Sequence, residues 1–415
     1  MISDSAKLLT ADAKYQSDLI GFLRDLVRIP SVNGRDPEAA LARRIQAEAD
    51  KLGLESKLIA LEPERPNILV TYGTGPERFA LIGHMDTVAE GDPLSWSNPP
   101  FAADVEDGRI IGRGAADNKA GLACGLYTLT LLREMELIDP ARHQVILAGI
   151  VDEESGACSP LGVRYLLDAN LLQARGAIYT YTSDIVCIGH RGLLRLELKA
   201  HGESVHAGIA EWHRHEQGAN AVTALAELLL KLEALDVPAV PPPGFEHLGF
   251  TITPGTIVRG GSFPSIVPES AEAVVDIRVL PGQSGGEVLQ RIREQIHTVE
   301  MERPRIQFEM TVSVDIPGAF IPKDHPLVLL AQEYTERMTG RRWEAAGAGP
   351  ANEGYMLIGA GIPTLCGFGP SGGNPHAPDE WVEINSLPPT VAMFAGIIHD
   401  YLNPSKGEEN VSSGS

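Results

Sequence analysis

A histidine and an aspartate stand two residues apart directly after an apolar run, in the stretch Leu81-Ile82-Gly83-His84-Met85-Asp86. Residues i and i+2 of an extended segment face the same way, and ligands of open α/β sheets bind at the carboxyl ends of strands. His84 could therefore bind a metal while Asp86 orients its other ring nitrogen. The alternative is a solvated histidine beside an aspartate that caps a turn.

Two further acidic motifs allow the same chemistry. Asp117 stands at the mouth of a helix, where aspartate is also a preferred cap. The apolar run Val145–Val151 leads directly into Asp152-Glu153-Glu154, and acids at a buried strand end repel one another unless a cation or protons neutralise them. One glutamate can then bind a metal while its neighbour acts as general base. A solvated acidic loop would have the same sequence.

A glycine-rich loop, residues 369–376 with the sequence GPSGGNPH, ends in a second histidine. Glycines such as Gly372 and Gly373 let the backbone approach a ligand closely, and a neutral imidazole such as that of His376 suits zinc. An ordinary surface loop is the alternative. All these motifs fall at strand ends or in connecting loops, where a site in an α/β fold would be built.

The elements that must position these residues change in character along the chain. Up to about Gly192, β-branched runs near 67–72, 79–83 and 144–151 alternate with helical periods, which predicts a mostly parallel α/β sheet. From 193 to 315 we predict an α+β unit, with strands near 193–200, 271–280 and 306–314 and helices near 217–235 and 285–297. Residues 1–192 and 316–405 are therefore predicted to form a discontinuous α/β domain around an inserted domain of residues 193–315, followed by a disordered tail at 406–415.

The composition excludes several classes of function. The 34 basic and 55 acidic residues give a formal charge of −21, which argues against binding to nucleic acid or to an anionic membrane. The cysteines include no CxxC pair, so no disulfide framework is expected. The N-terminal residues contain no apolar run behind a basic start, and no apolar stretch is long enough to span a bilayer. We therefore expect a cytoplasmic protein.

Taken in order, the motifs GHMDTV, GRGAADNKAG, DEE, GHRG and NPHAPDE closely resemble those of one family of metallohydrolases. Its members include succinyl-diaminopimelate desuccinylase, acetylornithine deacetylase, aminoacylase and a glutamate-releasing carboxypeptidase. The resemblance runs from about residue 15 to 403. It implies a zinc-peptidase-like α/β domain with two zinc ions, interrupted by a ferredoxin-like α+β domain that mediates a homodimer. Cobalt or manganese could replace zinc, because the choice also depends on availability.

The resemblance implies a metal-binding role for four residues. His84 would bind one metal and Asp117 would bridge both. Glu154 and His376 would complete the ligand set of the other metal.

The same resemblance implies roles for residues beside the metals. Asp86 would orient His84, and Glu153 would be the general base that takes a proton from metal-bound water and passes it to the leaving amine. Gly372 and Gly373 would contact the substrate.

Three residues of the predicted insert match the family as well. His206, in the stretch GESVHA, would reach the partner subunit's active site and stabilise the tetrahedral oxyanion; a simple surface histidine is the alternative. Arg278 would clamp a substrate carboxylate, although a salt bridge to Asp276 would give it a purely structural role. Asn220 matches the start of the family's long insert helix and belongs to the predicted substrate-binding set.

One family ligand is missing from its usual place. The family has a fifth ligand, an acid, between the paired glutamates and GHRG, and by offset that position falls on Thr180 or Tyr181, neither of which is a normal zinc ligand. Asp184 is the nearest acid and would need a local shift to reach the metal. We therefore expect one tightly held metal, in the set that includes His376, and one weak or absent metal at His84.

Together these residues predict a metal-dependent hydrolase that cleaves an amide bond in an N-acyl amino acid or a small peptide. The altered fifth position motivates a second hypothesis, a catalytically silent homologue that binds such ligands or acts as a scaffold. The intact Glu153, Glu154, His84 and His376 favour the enzyme.

Overall fold

The computed structural model describes residues 5–404, so the predicted disordered tail, 406–415, lies outside the described residues. The chain divides into two compact units. The first runs to Gly189 and continues over Phe320–Ala348 and from Asn352 onward. The second comprises His190–Ala319 and Gly349–Ala351.

Strands and helices are numbered in chain order. The strands are β1 (Glu55–Ile59), β2 (Asn67–Tyr72), β3 (Glu77–His84), β4 (Asp104–Glu106), β5 (Arg109–Ile111), β6 (His143–Ile150), β7 (Gly176–Tyr179), β8 (Val186–His190), β9 (Gly192–His201), β10 (Thr251–Gly260), β11 (Ser270–Val279), β12 (Gln307–Ile316), β13 (Ala319–Phe320), β14 (Ala345–Ala348), β15 (Thr364–Leu365), β16 (Gly372–Gly373) and β17 (Trp381–Glu383). The helices are α1 (Ser5–Arg28), α2 (Ala39–Lys51), α3 (Ala120–Glu134), α4 (Val163–Asp168), α5 (Ala210–His213), α6 (Ala221–Glu233), α7 (Gly285–Glu302), α8 (Pro326–Thr339), α9 (Gly354–Gly359) and α10 (Leu387–Leu402). In the described part of the chain, none of the helices is long and apolar enough to cross a membrane.

A mostly parallel sheet with the strand order β1-β2-β6-β3-β7-β15 lies at the centre of the first unit. β2 pairs antiparallel with both β1 and β6, whereas β6, β3, β7 and β15 run parallel. The apolar runs of the sequence form the central strands β3 and β6, which are buried along most of their length as parallel strands covered on both faces must be. The predicted α/β class is confirmed.

Helices cover both faces of this sheet. On one face α3 packs against β3 and β6, and α1 and α10 pack on α3. Every residue from Ala120 to Leu132 is buried, because α3 lies between the sheet and two other helices; its apolar composition follows from that position. On the other face α4 and α9 join a core that includes Ile82 and Ala148.

The second unit combines a four-stranded antiparallel sheet, in the order β10-β11-β9-β12, with the helices α6 and α7. Leu196 and Leu198 of β9 point into the core with both helices, while Glu197 between them is exposed. This alternation is the pattern expected of a sheet with one covered face. The predicted α+β class of this segment is confirmed.

The strand β10 is absent from the sequence prediction. Its sequence, TITPGTIVRG, contains Pro254 and Gly255, which interrupt an ordinary strand pattern. β10 is an edge strand, and its pairing with β11 shifts register between Pro254 and Ile257. The proline therefore lies at an irregularity of an edge, where strands tolerate it.

Candidate metal centre

Two neighbouring parallel strands end at the same edge of the central sheet and lead into site residues. β3 ends at His84 and β6 at Ile150, and these two residues are register partners. Asp86, after β3, and the short 3-10 helix Glu153–Ser155, after β6, therefore meet at the carboxyl edge. Between β6 and this helix Asp152 has a φ of 66°, a left-handed conformation that aspartate tolerates, and it turns the chain toward the site.

Asp117 lies between two histidines. Its Oδ1 is 2.8 Å from His84 Nε2, and its Oδ2 is 3.3 Å from His376 Nε2. Glu154 Oε1 is 3.2 Å from the same His376 nitrogen, and ligand atoms of His84, Asp117 and Glu154 lie within 4.8 Å of one another. The structure thus brings together the four residues that the sequence predicts as metal ligands.

This set of donors fits a divalent metal such as zinc. Imidazole nitrogens and carboxylate oxygens are typical zinc ligands, and bonds of about 2.0 Å at tetrahedral angles separate neighbouring ligand atoms by about 3.3 Å. His376 Nε2 lies at 3.3 and 3.2 Å from its two carboxylate neighbours, Asp117 and Glu154. Because Asp117 presents one oxygen to each histidine, it has the arrangement needed to bridge two ions.

Buried acids dominate the electrostatics of the site. Asp117 and Glu153 are 8% and 5% exposed. Burial, together with the charges of Glu154 and Asp117, raises the pKa of Glu153 to about 8. Hydrogen bonds to Asp117 and Glu154 raise the pKa of His376 to about 10. For His84, burial disfavours the charged imidazole, but the hydrogen bond to Asp117 and the charge of Asp117 outweigh burial and raise the pKa of His84 above its ordinary value. The site therefore attracts positive charge, either protons on the histidines or metal ions that displace them.

Asp86 positions the paired glutamates. Its Oδ1 accepts the backbone N–H of Glu153 at 3.2 Å, and its Oδ2 accepts the backbone N–H of Glu154 at 2.9 Å and the side-chain amide of Asn33 at 2.7 Å. His84 Nδ1 donates to the backbone carbonyl oxygen of Asp86 at 3.0 Å and lies 3.8 Å from its carboxylate. Asp86 therefore orients His84 through its backbone carbonyl oxygen, while the carboxylate, which the sequence suggested for this role, is engaged by the N–H groups.

Glu380 holds the backbone that carries Asp117. Its Oε1 accepts the N–H groups of Ala116 and Asp117 at 2.8 and 2.9 Å. Its Oε2 accepts the N–H of Gly114 at 3.1 Å and the guanidinium of Arg113 at 2.6 Å. Both side chains of this ion pair are 1% exposed. The position of Asp117 therefore depends on the buried carboxylate of Glu380, which is not one of the predicted metal ligands.

The segment after β7 contains the three residues considered for the fifth ligand position. Thr180 is buried, and its hydroxyl donates to the backbone of β3 at 3.0 Å. Tyr181 turns the other way: its Oη lies 3.2 Å from His84 Nε2 and 3.5 Å from Glu153 Oε1. Asp184 is exposed and lies outside the group of ligand atoms formed around His84. Of these three residues, Tyr181 is the one that contacts the site.

The three site residues predicted for the insert lie in the second unit. Asn220 caps α6 by accepting a backbone N–H of its first turn at 3.1 Å. Arg278 donates to both carboxylate oxygens of Asp276, at 2.8 and 3.2 Å, which is the salt bridge that the sequence left open. His206 is exposed, and its Nδ1 accepts a nearby backbone N–H at 3.0 Å. Roles of these residues toward a substrate stay predictions.

Gly372 and Gly373 form β16 and pair with β17. A Cβ on Gly372 would lie 2.7 Å from Thr182 Cγ2, and one on Gly373 would lie 2.7 Å from the ring of Trp381. The loop therefore needs glycine at both positions for its own packing. Contact of these glycines with a substrate stays a prediction.

Sequence reasoning missed the contributions of Asn33, Tyr181 and Glu380. Asn33 donates to both Asp86 and Asp152, at 2.7 and 2.9 Å, and so ties the two strand ends together. Its sequence neighbourhood, PSVNG, reads as an ordinary turn. Glu380 was available as the acid that ends the motif NPHAPDE, but nothing local reveals that it faces inward.

Glu353, which precedes α9, gives the metal-free protein a testable pH dependence. The residue is fully buried, and burial, followed by the charges of Glu153 and Asp86, raises its pKa well above the ordinary value. Above the unfolded-state pKa of about 4.3, the folded protein therefore holds a proton that the unfolded chain has lost, and stability falls as the pH rises toward the folded-state pKa. As the pH rises through this window, we expect the free energy of unfolding of the wild type to fall, relative to that of the Glu353→Gln variant, by up to about 1.4 kcal/mol per pH unit.

Urea unfolding of both proteins in chelator, from about pH 5 to about pH 8, measures this difference. A chelator is needed because a bound cation would favour the ionised carboxylate. A difference between the two proteins that does not change with pH would contradict the raised pKa.

Comparisons with known proteins agree with the motifs and with the fold. The model of peptidase family M20/M25/M40 matches residues 80–400. The succinyl-diaminopimelate desuccinylase of Maricaulis maris is 27% identical over 410 residues, covering 95% of this chain and 98% of that protein.

Two solved structures share the fold. A tripeptidase from Staphylococcus aureus superposes with a TM-score of 0.73 at 22% identity, covering 93% of this chain and 98% of that one. The YXEP protein of Bacillus subtilis, described as a dinuclear metal binding peptidase, does so with a TM-score of 0.69 at 18% identity, covering 94% and 99%. The family resemblance expected from the motifs is confirmed, and this chain belongs to peptidase family M20/M25/M40.

Proposed function

We propose that this chain is a metal-dependent hydrolase that cleaves an amide bond in an N-acyl amino acid or a small peptide. One observation carries the proposal: Asp117 presents its two carboxylate oxygens to different histidines, 2.8 and 3.3 Å away, beside the buried carboxyl of Glu153. Metal ligands and a general base are the two components that metal-assisted hydrolysis requires. The hydrolase class itself follows from the peptidase family.

We infer that His84, Asp117, Glu154 and His376 are the metal ligands and that the metal is zinc, with cobalt or manganese as possible substitutes. Asp117, Glu154 and His376 supply three protein ligands, which together with water make a complete catalytic zinc site. This set is expected to hold its metal tightly. The exposed Asp184 is left out of the proposed set.

A bound divalent metal supplies Lewis-acid chemistry, which polarises the scissile carbonyl and acidifies water. The chain supplies the proton transfers. One carboxylate oxygen of Glu153 takes a proton from the attacking water and later delivers it to the nitrogen of the leaving amine. Burial raises the pKa of Glu153 in the metal-free protein to about 8, and a bound cation would favour the ionised carboxylate, which is the form that accepts the proton from water. Asp86 fixes the backbone of Glu153 and so keeps the carboxyl in place.

The substrate class rests on the relatives. A desuccinylase and a tripeptidase are named for removing an N-acyl group and for cleaving a peptide, and both reactions break an amide bond. In the second unit we propose that Arg278 and Asn220 contact the substrate and that His206 stabilises the oxyanion across a homodimer. Gly372 and Gly373 would line the substrate site, and a cytoplasmic location is kept as part of the proposal.

Metal removal tests the proposed function. Metal content is measured by elemental mass spectrometry on gently purified protein, and a panel of N-acyl amino acids and dipeptides is assayed before and after chelation. We expect at least one metal ion per chain and turnover that chelation abolishes and zinc, cobalt or manganese restores. Protein without bound metal and without turnover in any of the three metals would contradict the proposal and favour the catalytically silent homologue.

A further inference from the structure

Tyr181 brings a phenolic oxygen to the imidazole nitrogen that also faces Asp117. Tyr181 Oη is 3.2 Å from His84 Nε2, and Asp117 Oδ1 is 2.8 Å from the same atom. His84 Nδ1 donates to the carbonyl oxygen of Asp86, so a neutral imidazole has its lone pair on Nε2. Nε2 and the two oxygens around it are three atoms of the kind that ligate a metal, and each oxygen lies about as far from Nε2 as neighbouring ligands of one metal lie from each other.

The place of this hydroxyl is set by the sheet. Tyr181 follows β7, in which Tyr179 is the register partner of Ile82, two residues before His84. The ring of Tyr181 stacks on that of Tyr179, with centroids 5.5 Å apart and an interplanar angle of 19°. Its backbone packs so closely on Gly369 that a Cβ there would lie 2.5 Å from Tyr181 O. Two parallel strands, a stacked ring and a glycine therefore hold the phenol at the site.

A purely structural hydrogen bond explains these contacts less well. If Nε2 carries a proton, Asp117 at 2.8 Å is its natural acceptor, and the phenol is left with the longer contact of 3.5 Å to Glu153. If Nε2 carries none, the phenol can donate to it at 3.2 Å, but Asp117 Oδ1 then faces the same lone pair at 2.8 Å with no proton between the two atoms. A cation bound beside His84 Nε2, Asp117 Oδ1 and Tyr181 Oη would accept a lone pair from each of these three atoms.

We propose that Tyr181 Oη is the third protein ligand of a metal position that it shares with His84 and Asp117. The inference rests on the proposed metal-dependent function. When the metal binds, the phenolic O–H bond is exchanged for an oxygen–metal bond and the proton passes to solvent. Tyrosine oxygen is known as an iron ligand in catalase. Because a phenol must give up a proton that a carboxylate has already lost at neutral pH, this position holds its metal more weakly than the set with Glu154 and His376.

Zinc binding to the chelated full-length protein, measured by equilibrium dialysis with elemental mass spectrometry, separates the two positions. The wild type is expected to bind two zinc ions, the second more weakly. Tyr181→Phe keeps the ring and removes the oxygen. The affinity for the first zinc ion should therefore stay unchanged, and the affinity for the second zinc ion should fall at least about tenfold. Tyr181→Glu restores a carboxylate and should bind the second ion at least as tightly as the wild type.

Tyr179→Phe is the matched control, since it removes the buried hydroxyl of the stacked neighbour and should leave both affinities unchanged. Copper(II) provides an independent spectroscopic readout. A phenolate-to-copper charge-transfer band in the visible range is expected in the wild type and in Tyr179→Phe, and is expected to be missing in Tyr181→Phe. Thermal unfolding of each variant verifies that the fold is retained.

An unchanged second affinity in Tyr181→Phe overturns the ligand assignment, even where that variant has lost activity. A wild type that binds a single zinc ion overturns it as well. A wild type that binds no zinc at all contradicts the proposed function instead, so the two failures are distinguishable.

Discussion

The Glu153→Gln variant is expected to lose about 10²- to 10⁴-fold in kcat while it retains its metal. Glutamine has the shape of glutamate but cannot take a proton from water. The proposed ligands are His84, Asp117, Glu154 and His376, and Glu153 is not among them, so the substitution leaves the ligands intact. It also removes a carboxyl whose ionisation burial opposes, and no loss of stability is expected. Steady-state kinetics and elemental analysis of the same sample measure both quantities.

Glu154→Gln is the matched control, because it makes the same change one residue along. Glu154 Oε1 is 3.2 Å from His376 Nε2, so this variant should lose tightly bound metal together with activity. The assignment of base and ligand is wrong if both variants lose metal equally or if Glu153→Gln keeps the turnover of the wild type.

The second large effect is expected for stability. Glu380→Gln should lower the free energy of unfolding by about 3 to 5 kcal/mol, because it leaves the guanidinium of Arg113 buried without its counter-charge. The amide also cannot accept all the N–H groups that the carboxylate now accepts from the segment leading to Asp117. Zinc affinity should therefore fall as well, although Glu380 is not proposed as a ligand. Urea unfolding and zinc titration measure the two losses.

Glu383→Gln provides the control from the same hairpin. Glu383 pairs with Arg109 at 3.7 Å, and these side chains are 37% and 46% exposed, so the loss should stay below about 1 kcal/mol. A similar small loss in Glu380→Gln would show that the buried pair does not support the Asp117 segment.

The fold was predictable where the hydrophobic pattern is local. The apolar run near 67–72 coincides with β2, and short motifs in a fixed order were sufficient to recognise the family. The meeting of His84 and Glu154 was predictable too, because both follow strands of one parallel sheet and such strands end at the same edge.

Contacts between distant segments were not predictable in the same way. Arg113 and Glu380 are 267 residues apart, and no local pattern pairs them. The period of two in a strand indicates that Thr180 and Tyr181 face opposite sides, but not which of them faces the site. That choice depends on the register of β7 against β3. β10 was missed because its Pro254 is tolerated only through its place at a sheet edge.

The distribution of the ligands along the chain has a consequence for biosynthesis. Glu154 and His376, which share one proposed metal, are 222 residues apart, and the second unit lies between them in the sequence. At ribosomal rates of about 5 to 20 residues per second, roughly 10 to 45 s pass between the synthesis of one ligand and the other. A nascent chain therefore carries Asp117 and Glu154, the acidic ligands of this proposed metal site, long before His376 is made. The site should therefore stay incomplete until His376 has been made, and an ion captured after that would act as a late cross-link between two distant segments of the polypeptide.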